Sequence, residues 1–410
     1  MDEAVQNGEA QSRMSSVARL TRRGLLGGLA GLAASPAVGH ALGSIVSSPS
    51  VISSPPRTWG VDETPANLPD PDVLPLDPSF GLVNYGNSPL RKLWQGSGWL
   101  EGPAWCTVGR FLLLSDTITS CQYRYDPEDG PQGHMSLYRR QSFNANGNTF
   151  DAEGRLITCE HGMRRVIRWE HDGSVNVLAD RYRGKTLNSP NDVVVAPDGG
   201  IWFTDPAYGD GVVEGHADVD GPANPQRHLN PYLDAELTAQ YGGLRRQEDH
   251  TFRVDPKTGK VEAVLGQKDV AGPNGLCFSP DGTRLYVASS GVAAGSQPPL
   301  PDHAIHVFDM KQGRPTNGRL FTDFTLAGRA MRPDGLRADV EGNLWCGAWG
   351  PLGLCGVFIY NPHGQMIGRI RLPVGCSNLT FGGPKRNILY MCCGTALFSL
   401  ITATQGAGHS

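Results

Sequence analysis

Residues 273–289 read PNGLCFSPDGTRLYVAS. A short apolar run, Leu276 to Phe278, enters Pro280-Asp281-Gly282, and a second run, Leu285 to Ala288, returns from it. Asp-Gly supplies a positive φ at little steric cost, so the stretch predicts a β-hairpin. The same grammar recurs in LEGPAWCTVGRFLLLSD from Leu100, ANGNTFDAEGRLITCE from Ala145, PNDVVVAPDGGIWFTD from Pro190 and PDGLRADVEGNLWCGA from Pro333. An oxygen-bearing residue opens each of the five units, namely Glu101, Asn146, Asn191, Asn274 and Asp334, and Gly stands eight positions later. CSNLTFGGPKRNILYMCC from Cys376 is a weaker sixth copy, with Ser377 at the opening position and Lys385 where Gly stood. The opening residues lie 45, 45, 83, 60 and 43 residues apart, and ~40 to 50 residues is the size of one four-stranded blade. The predicted fold is therefore all-β, a six-bladed β-propeller, with a strand near Arg91 to Gly96 closing the ring and removing its exposed edge.

Composition agrees. The 53 Gly and 31 Pro among 410 residues suit many short strands joined by tight turns. With 36 Lys and Arg against 40 Asp and Glu, there is no overall basic field to hold nucleic acid or an anionic membrane. Nine Cys is an odd number, and no CxxC pair or Cys/His ligand spacing occurs. Cys106, Cys277, Cys346, Cys392 and Cys393 fall in strand-like runs, where Cys packs as a small hydrophobe.

Residues 1–41 are expected to be a signal peptide. Arg22 and Arg23 precede Leu25, Leu26 and a Gly/Leu/Ala run to Ala34, with small residues at Gly39 and Ala41. This has the form of a twin-arginine export signal, implying a periplasmic or secreted protein. The apolar run is shorter than the ~20 residues a bilayer span needs, and no later segment is long or apolar enough. Residues 42–78 form a Pro/Ser-rich lead-in without a core pattern of its own. Residues 79–405 form the propeller, with an insertion at about 207–245 inside the 83-residue interval; loops that large are usually functional or disordered.

The turn of the fifth unit is already supplied by Val340-Glu341-Gly342-Asn343, so Asp334 is not needed as a hairpin corner. In a propeller the innermost strand of each blade runs along the central channel, and residues at the same place on that strand form a ring at one mouth. An Asn alone is most often a turn residue. Five equivalent oxygen-bearing positions instead suggest ligands for a hard divalent cation, Ca²⁺ or Mg²⁺ foremost, with Zn²⁺ or Mn²⁺ as alternatives.

EGPAW, NSPND, PNGLCFSPDGTRLYVA and RPDGLRADVEGNLW resemble the marker segments of the regucalcin/gluconolactonase family, six-bladed propellers with one divalent cation in the channel. The resemblance runs from about Leu93 to Ala396, and NSPNDVV followed by IWFTDPAYG is similar to the exported bacterial gluconolactonases. It implies that Glu101, Asn274 and Asp334 hold the metal, that Asn191 stands beside the metal or its water, and that Asp334 is the candidate base. Two positions depart from the animal pattern: Ser189 replaces an Arg, and Gly209 replaces an acidic substrate contact. Asn146, His161, Tyr208 and the insertion are the expected substitutes for binding substrate.

The implied reaction is metal-dependent hydrolysis of a small lactone, the cation polarising its carbonyl and Asp334 taking the proton of water. Alternatives on the same scaffold are another esterase or a phosphotriesterase. A non-catalytic binding propeller is the rival of a different class.

Overall fold

The computed structural model describes residues 57, 59–61, 63, 65, 67–130, 132–207, 247–290 and 303–408. The expected signal peptide, Tyr208 and the insertion lie outside the described residues, apart from Ala207. The described chain forms six antiparallel blade sheets in sequence order, five of four strands and one, blade 5, of five, together with two two-stranded ribbons. Blade 1 comprises Leu100–Cys106, Phe111–Asp116, Cys121–Asp126 and His134–Arg140. Blade 2 comprises Ala145–Phe150, Leu156–Glu160, Arg165–Trp169 and Val175–Ala179, and blade 3 Val193–Val195, Ile201–Asp205, His250–Val254 and Val261–Gly266. Blade 4 comprises Pro273–Phe278, Arg284–Ser289, Ala304–Lys311 and Arg314–Thr322, and blade 5 Arg332–Ala338, Leu344–Trp349, Gly356–Tyr360 and Met366–Arg371. Blade 6 takes Asn378–Gly382, Ile388–Cys393 and Ala396–Ile401 from the C-terminal end and its fourth strand, Arg91–Gln95, from the N-terminal side. That strand closes the ring, as the sequence predicts.

Burial follows position in the blade. The innermost strands Leu100–Cys106 and Ala145–Phe150 are buried throughout, whereas the outermost strand His134–Arg140 is largely exposed. Between blades the core is aromatic and aliphatic: Leu100, Trp105, Leu112 and Leu114 of blade 1 pack against Tyr390, Cys392 and Leu397 of blade 6. All nine Cys are buried and unpaired.

The hairpin glycines divide into two kinds. Gly154, Gly199, Gly282 and Gly342 take φ between +67° and +85°, the left-handed region that Gly occupies without penalty. In blade 1 Arg110 has the positive φ, at +56°. Gly109 is needed there for space instead, because a Cβ would collide with the Phe111 ring.

A second set of glycines brings the inner strands together. Glu101-Gly102, Asn146-Gly147, Asn274-Gly275 and Asp334-Gly335 each sit where the ladder to the second strand slips, a bulge that re-aims a side chain. Each Gly abuts the next blade: Gly102 on the Asn146 carbonyl, Gly147 on that of Asn191, Gly275 on that of Asp334 and Gly335 on the Asn378 side chain. Thr204 Oγ1 donates to the Asn274 carbonyl at 2.7 Å and Ser377 Oγ to that of Leu100 at 2.8 Å, completing the circuit. Gly102→Ala, which adds left-handed strain at φ +50° to the clash with Asn146, is expected to cost roughly 2–4 kcal/mol of stability. Thermal unfolding of the variant checks this; an unchanged Tm would mean that the close approach is dispensable.

The described part of the lead-in docks on the propeller more than its composition announces. Val73–Pro75 adds a fifth strand to blade 5. Asp70 pairs with Arg57 at 2.9 Å and Asp72 with Arg371 at 3.1 Å, all four side chains being buried. Trp59 meets the Phe398 ring edge-on.

Candidate functional site

The inner-strand circuit places Glu101, Asn146, Asn191, Asn274 and Asp334 at one end of the channel, one per blade from 1 to 5. The sixth position behaves differently from the sequence pattern. Ser377 spends its hydroxyl on the carbonyls of Leu100 and Cys392, and the following residue, Asn378, supplies the side chain that reaches Glu101. Asn378 Oδ1 accepts from the Leu379 N–H at 2.8 Å, leaving its NH₂ to donate.

Glu101, 7% exposed, accepts weakly from the Gly102 N–H at 3.2 Å and from Trp99 Nε1 at 3.4 Å. Burial, assisted by the charge of Asp192, pushes its carboxyl up to about 7. Asp334 Oδ2 accepts from Trp349 Nε1 at 2.9 Å. Burial first, and then the charge of Glu101, push Asp334 well above the usual carboxylate range; the exposed Arg332 offsets part of this. The two acids thus feel each other across the channel. Asn191 and Asn274 are 7% and 8% exposed, and neither side chain hydrogen-bonds to another described residue.

A third acid lies among them, already held in an ion pair. Asp192 is fully buried and takes both ends of the Arg337 guanidinium, at 3.0 and 3.4 Å. It occupies the position that carries Gly in blades 1, 2, 4 and 5, and thereby replaces a close backbone approach by a salt bridge across the channel.

The chemistry of this donor set fits a hard divalent cation. Glu101 and Asp334 together offer two negative charges, and Asn191 and Asn274 offer amide oxygens without a competing protein partner. No group of three or more His, Cys, Asp and Glu that could hold a metal occurs among the described residues, so a soft thiolate or imidazole site is absent there and any cation would depend on the amides.

Asn146 and His161 form a separate pair. Asn146 Nδ2 lies 3.3 Å from His161 Nε2, and both residues are buried. His161 is therefore no surface turn residue. Burial, and secondarily the charge of Arg164, lower its pKa to about 3, so the imidazole is neutral and Nε2 can accept. Asn146 Oδ1 is buried without a partner. Ser189 Oγ donates to the Pro206 carbonyl.

Sequence reasoning missed Trp99, Trp349, Asn378 and the Asp192–Arg337 pair. The missing Gly after Asn191 was the one available signal for Asp192. Trp349 ends the second strand of blade 5 opposite Arg332, a cross-strand relation that the strand pattern alone does not aim.

The model of the SMP-30/Gluconolactonase/LRE-like region matches residues 99–395. A gluconolactonase of Zymomonas mobilis is 28% identical over 82% of this chain and 87% of its own length. Regucalcin of Xenopus laevis is 25% identical over 71% of this chain and 81% of its own. The solved structure of a gluconolactonase from Xanthomonas campestris has a TM-score of 0.64 and 28% identity, covering 84% of this chain and 99% of that one.

Proposed function

The chain belongs to the SMP-30/gluconolactonase/LRE-like family, and from that premise we propose that it hydrolyses a small lactone, an aldonolactone or a related cyclic ester, with the help of one divalent cation. The observation that carries this reading is the electrostatically coupled pair at the channel mouth, Glu101 buried and Asp334 partly buried, beside two amides with open oxygens. Glu101, Asn274 and Asp334 would hold the cation, with Asn191 beside it, and Ca²⁺ is the leading choice for an all-oxygen set. When bound, the cation supplies Lewis acidity toward the lactone carbonyl.

The protein groups then have distinct tasks. One oxygen of Asp334 is held by the Trp349 N–H, which leaves the other to take a proton from water as the water oxygen attacks the carbonyl carbon. The ring C–O bond breaks, and the proton held by Asp334 passes to the departing ring oxygen. Asn191 orients water or substrate. Asn146 and the neutral His161 offer a buried acceptor and a ring nitrogen for substrate polar groups, and Tyr208 is a further candidate contact.

The test is proton release by metal-reconstituted protein on a panel of lactones, aryl esters and phosphotriesters, against a chelated control. Cation-dependent hydrolysis of lactones is the expected result. Turnover confined to aryl esters or phosphotriesters would replace the substrate class, and no turnover on any of them by the metal-filled protein would favour a binding propeller.

Delivery to the periplasm or beyond through the twin-arginine route completes the proposal. Replacing Arg22 and Arg23 by Lys is expected to leave precursor in the cytoplasm; normal export of that variant, followed by fractionation, would contradict it.

A further inference from the structure

Two tryptophans stand over the acids. Trp99 Nε1 donates to Glu101 Oε1 at 3.4 Å, and Trp349 Nε1 donates to Asp334 Oδ2 at 2.9 Å. The two rings stack, with centroids 5.0 Å apart and planes 11° from parallel. Trp99 enters from the approach to blade 1 and Trp349 from the second strand of blade 5. Blade 6 lies between those blades in the ring, so the stack links two neighbours that do not share an inner-strand border. Gly375, in the crossing from blade 5 to blade 6, makes the room: a Cβ there would collide with the Trp349 ring.

We propose that Trp99 and Trp349 are one positioning unit, a stacked pair that fixes the separation and direction of Glu101 and Asp334 toward cation and substrate. The inference rests on the reading of this mouth as a cation-dependent hydrolytic site, and extends it to residues outside the ring of oxygen donors. An indole N–H only donates, so it remains a donor whether its acid is charged, cation-bound or protonated. An amide or hydroxyl in its place could turn and accept instead. Holding one oxygen of Asp334 determines where the other points, which is what a group serving as both ligand and base requires. Since the acids belong to blades 1 and 5, their spacing is otherwise set indirectly, through the inner strands of the intervening blades. The stack ties them directly.

Phe variants separate the N–H from the ring. In the full chain, Trp349→Phe is expected to weaken Ca²⁺ binding, measured by calorimetry, and to lower kcat, each by roughly tenfold or more, the scale seen for groups that orient metal ligands. KM and the Tm of the cation-free protein should stay close to those of the unmutated chain. Trp99→Phe should act in the same direction and less strongly, its bond being longer. Gly375→Ala keeps both indoles but crowds Trp349, and should reproduce part of the loss. Tb³⁺ luminescence excited directly at the ion gives a reading independent of turnover and of the tryptophan chromophore, and the Tb³⁺ concentration at half-saturation should rise in either Phe variant. Unchanged Ca²⁺ affinity and kcat in Trp349→Phe would overturn the proposal, as would a loss matched by a fall in Tm of the cation-free protein, since that is a general structural effect. If the unmutated protein binds Ca²⁺ yet hydrolyses no lactone, the functional reading falls and the affinity comparison still decides the tryptophan unit. Failure of the unmutated protein to bind Ca²⁺ or Tb³⁺ overturns both.

Discussion

Asp334→Asn is expected to lower lactone turnover by roughly 10²-fold or more, the usual scale for a general base, while most of the bound cation is kept. The substitution preserves shape and leaves one amide oxygen, which keeps the cation when it faces the channel, at the cost of the bond that Asp334 Oδ2 accepts from the Trp349 N–H at 2.9 Å. What disappears is the proton acceptor. Asp334→Ala should in addition weaken the cation markedly, because Glu101 is then the one unneutralised acid of the ring, Asp192 being paired with Arg337. The informative comparison measures turnover and metal content on the same sample of the Asn variant. Full metal with near-normal turnover would assign Asp334 to cation binding alone and require another group to take the proton.

Removing the cation should make stability fall with rising pH. Glu101 has an ordinary value of 4.5 and stands at about 7 in the cation-free fold, raised mainly by burial; Asp334 shifts in the same direction. The folded state therefore holds more protons than the unfolded chain between those values. The stabilisation from protonated Glu101 is present in full below about pH 4.5 and is lost as pH rises through about 7. Its size is on the order of 3 kcal/mol. A divalent cation replaces the missing protons, so the gain in Tm on adding Ca²⁺ should be small at low pH and grow across this window, with proton release on binding. A Ca²⁺-induced gain in Tm that does not change with pH would contradict the placement of the two acids.

The propeller was legible because its signal is repeated. A strand, an Asp-Gly or Glu-Gly turn and a return strand recur at blade spacing, and even the closing strand could be placed near Arg91, since an open ring would expose an edge. The ring of Glu101, Asn146, Asn191, Asn274 and Asp334 was legible for the same reason, each being fixed by its offset from a turn. The glycine directly after four of them was equally visible, although its physical meaning, a bulge seated against the next blade, needs the third dimension. Asn378 was not legible as a site residue because it reaches Glu101 from the neighbouring blade; Trp99 and Trp349 lie in the same blades as the acids they bond, but no within-strand period encodes where an indole N–H points or the stack between blades 1 and 5. His161 was ambiguous for a related cause: a His before Gly on a turn is commonly exposed, and its burial beside Asn146 appears only in the folded structure.

The central claim is that the oxygen ring at the channel mouth binds a single divalent cation on which lactone hydrolysis depends. The direct measurement strips the protein with chelator, restores Ca²⁺ in steps, and records bound metal and proton release from lactone on the same samples. Hydrolysis should rise in proportion to bound cation and saturate at one ion per chain, with Glu101→Gln needing more Ca²⁺ to reach the same occupancy. Full hydrolysis by the stripped protein would contradict the account.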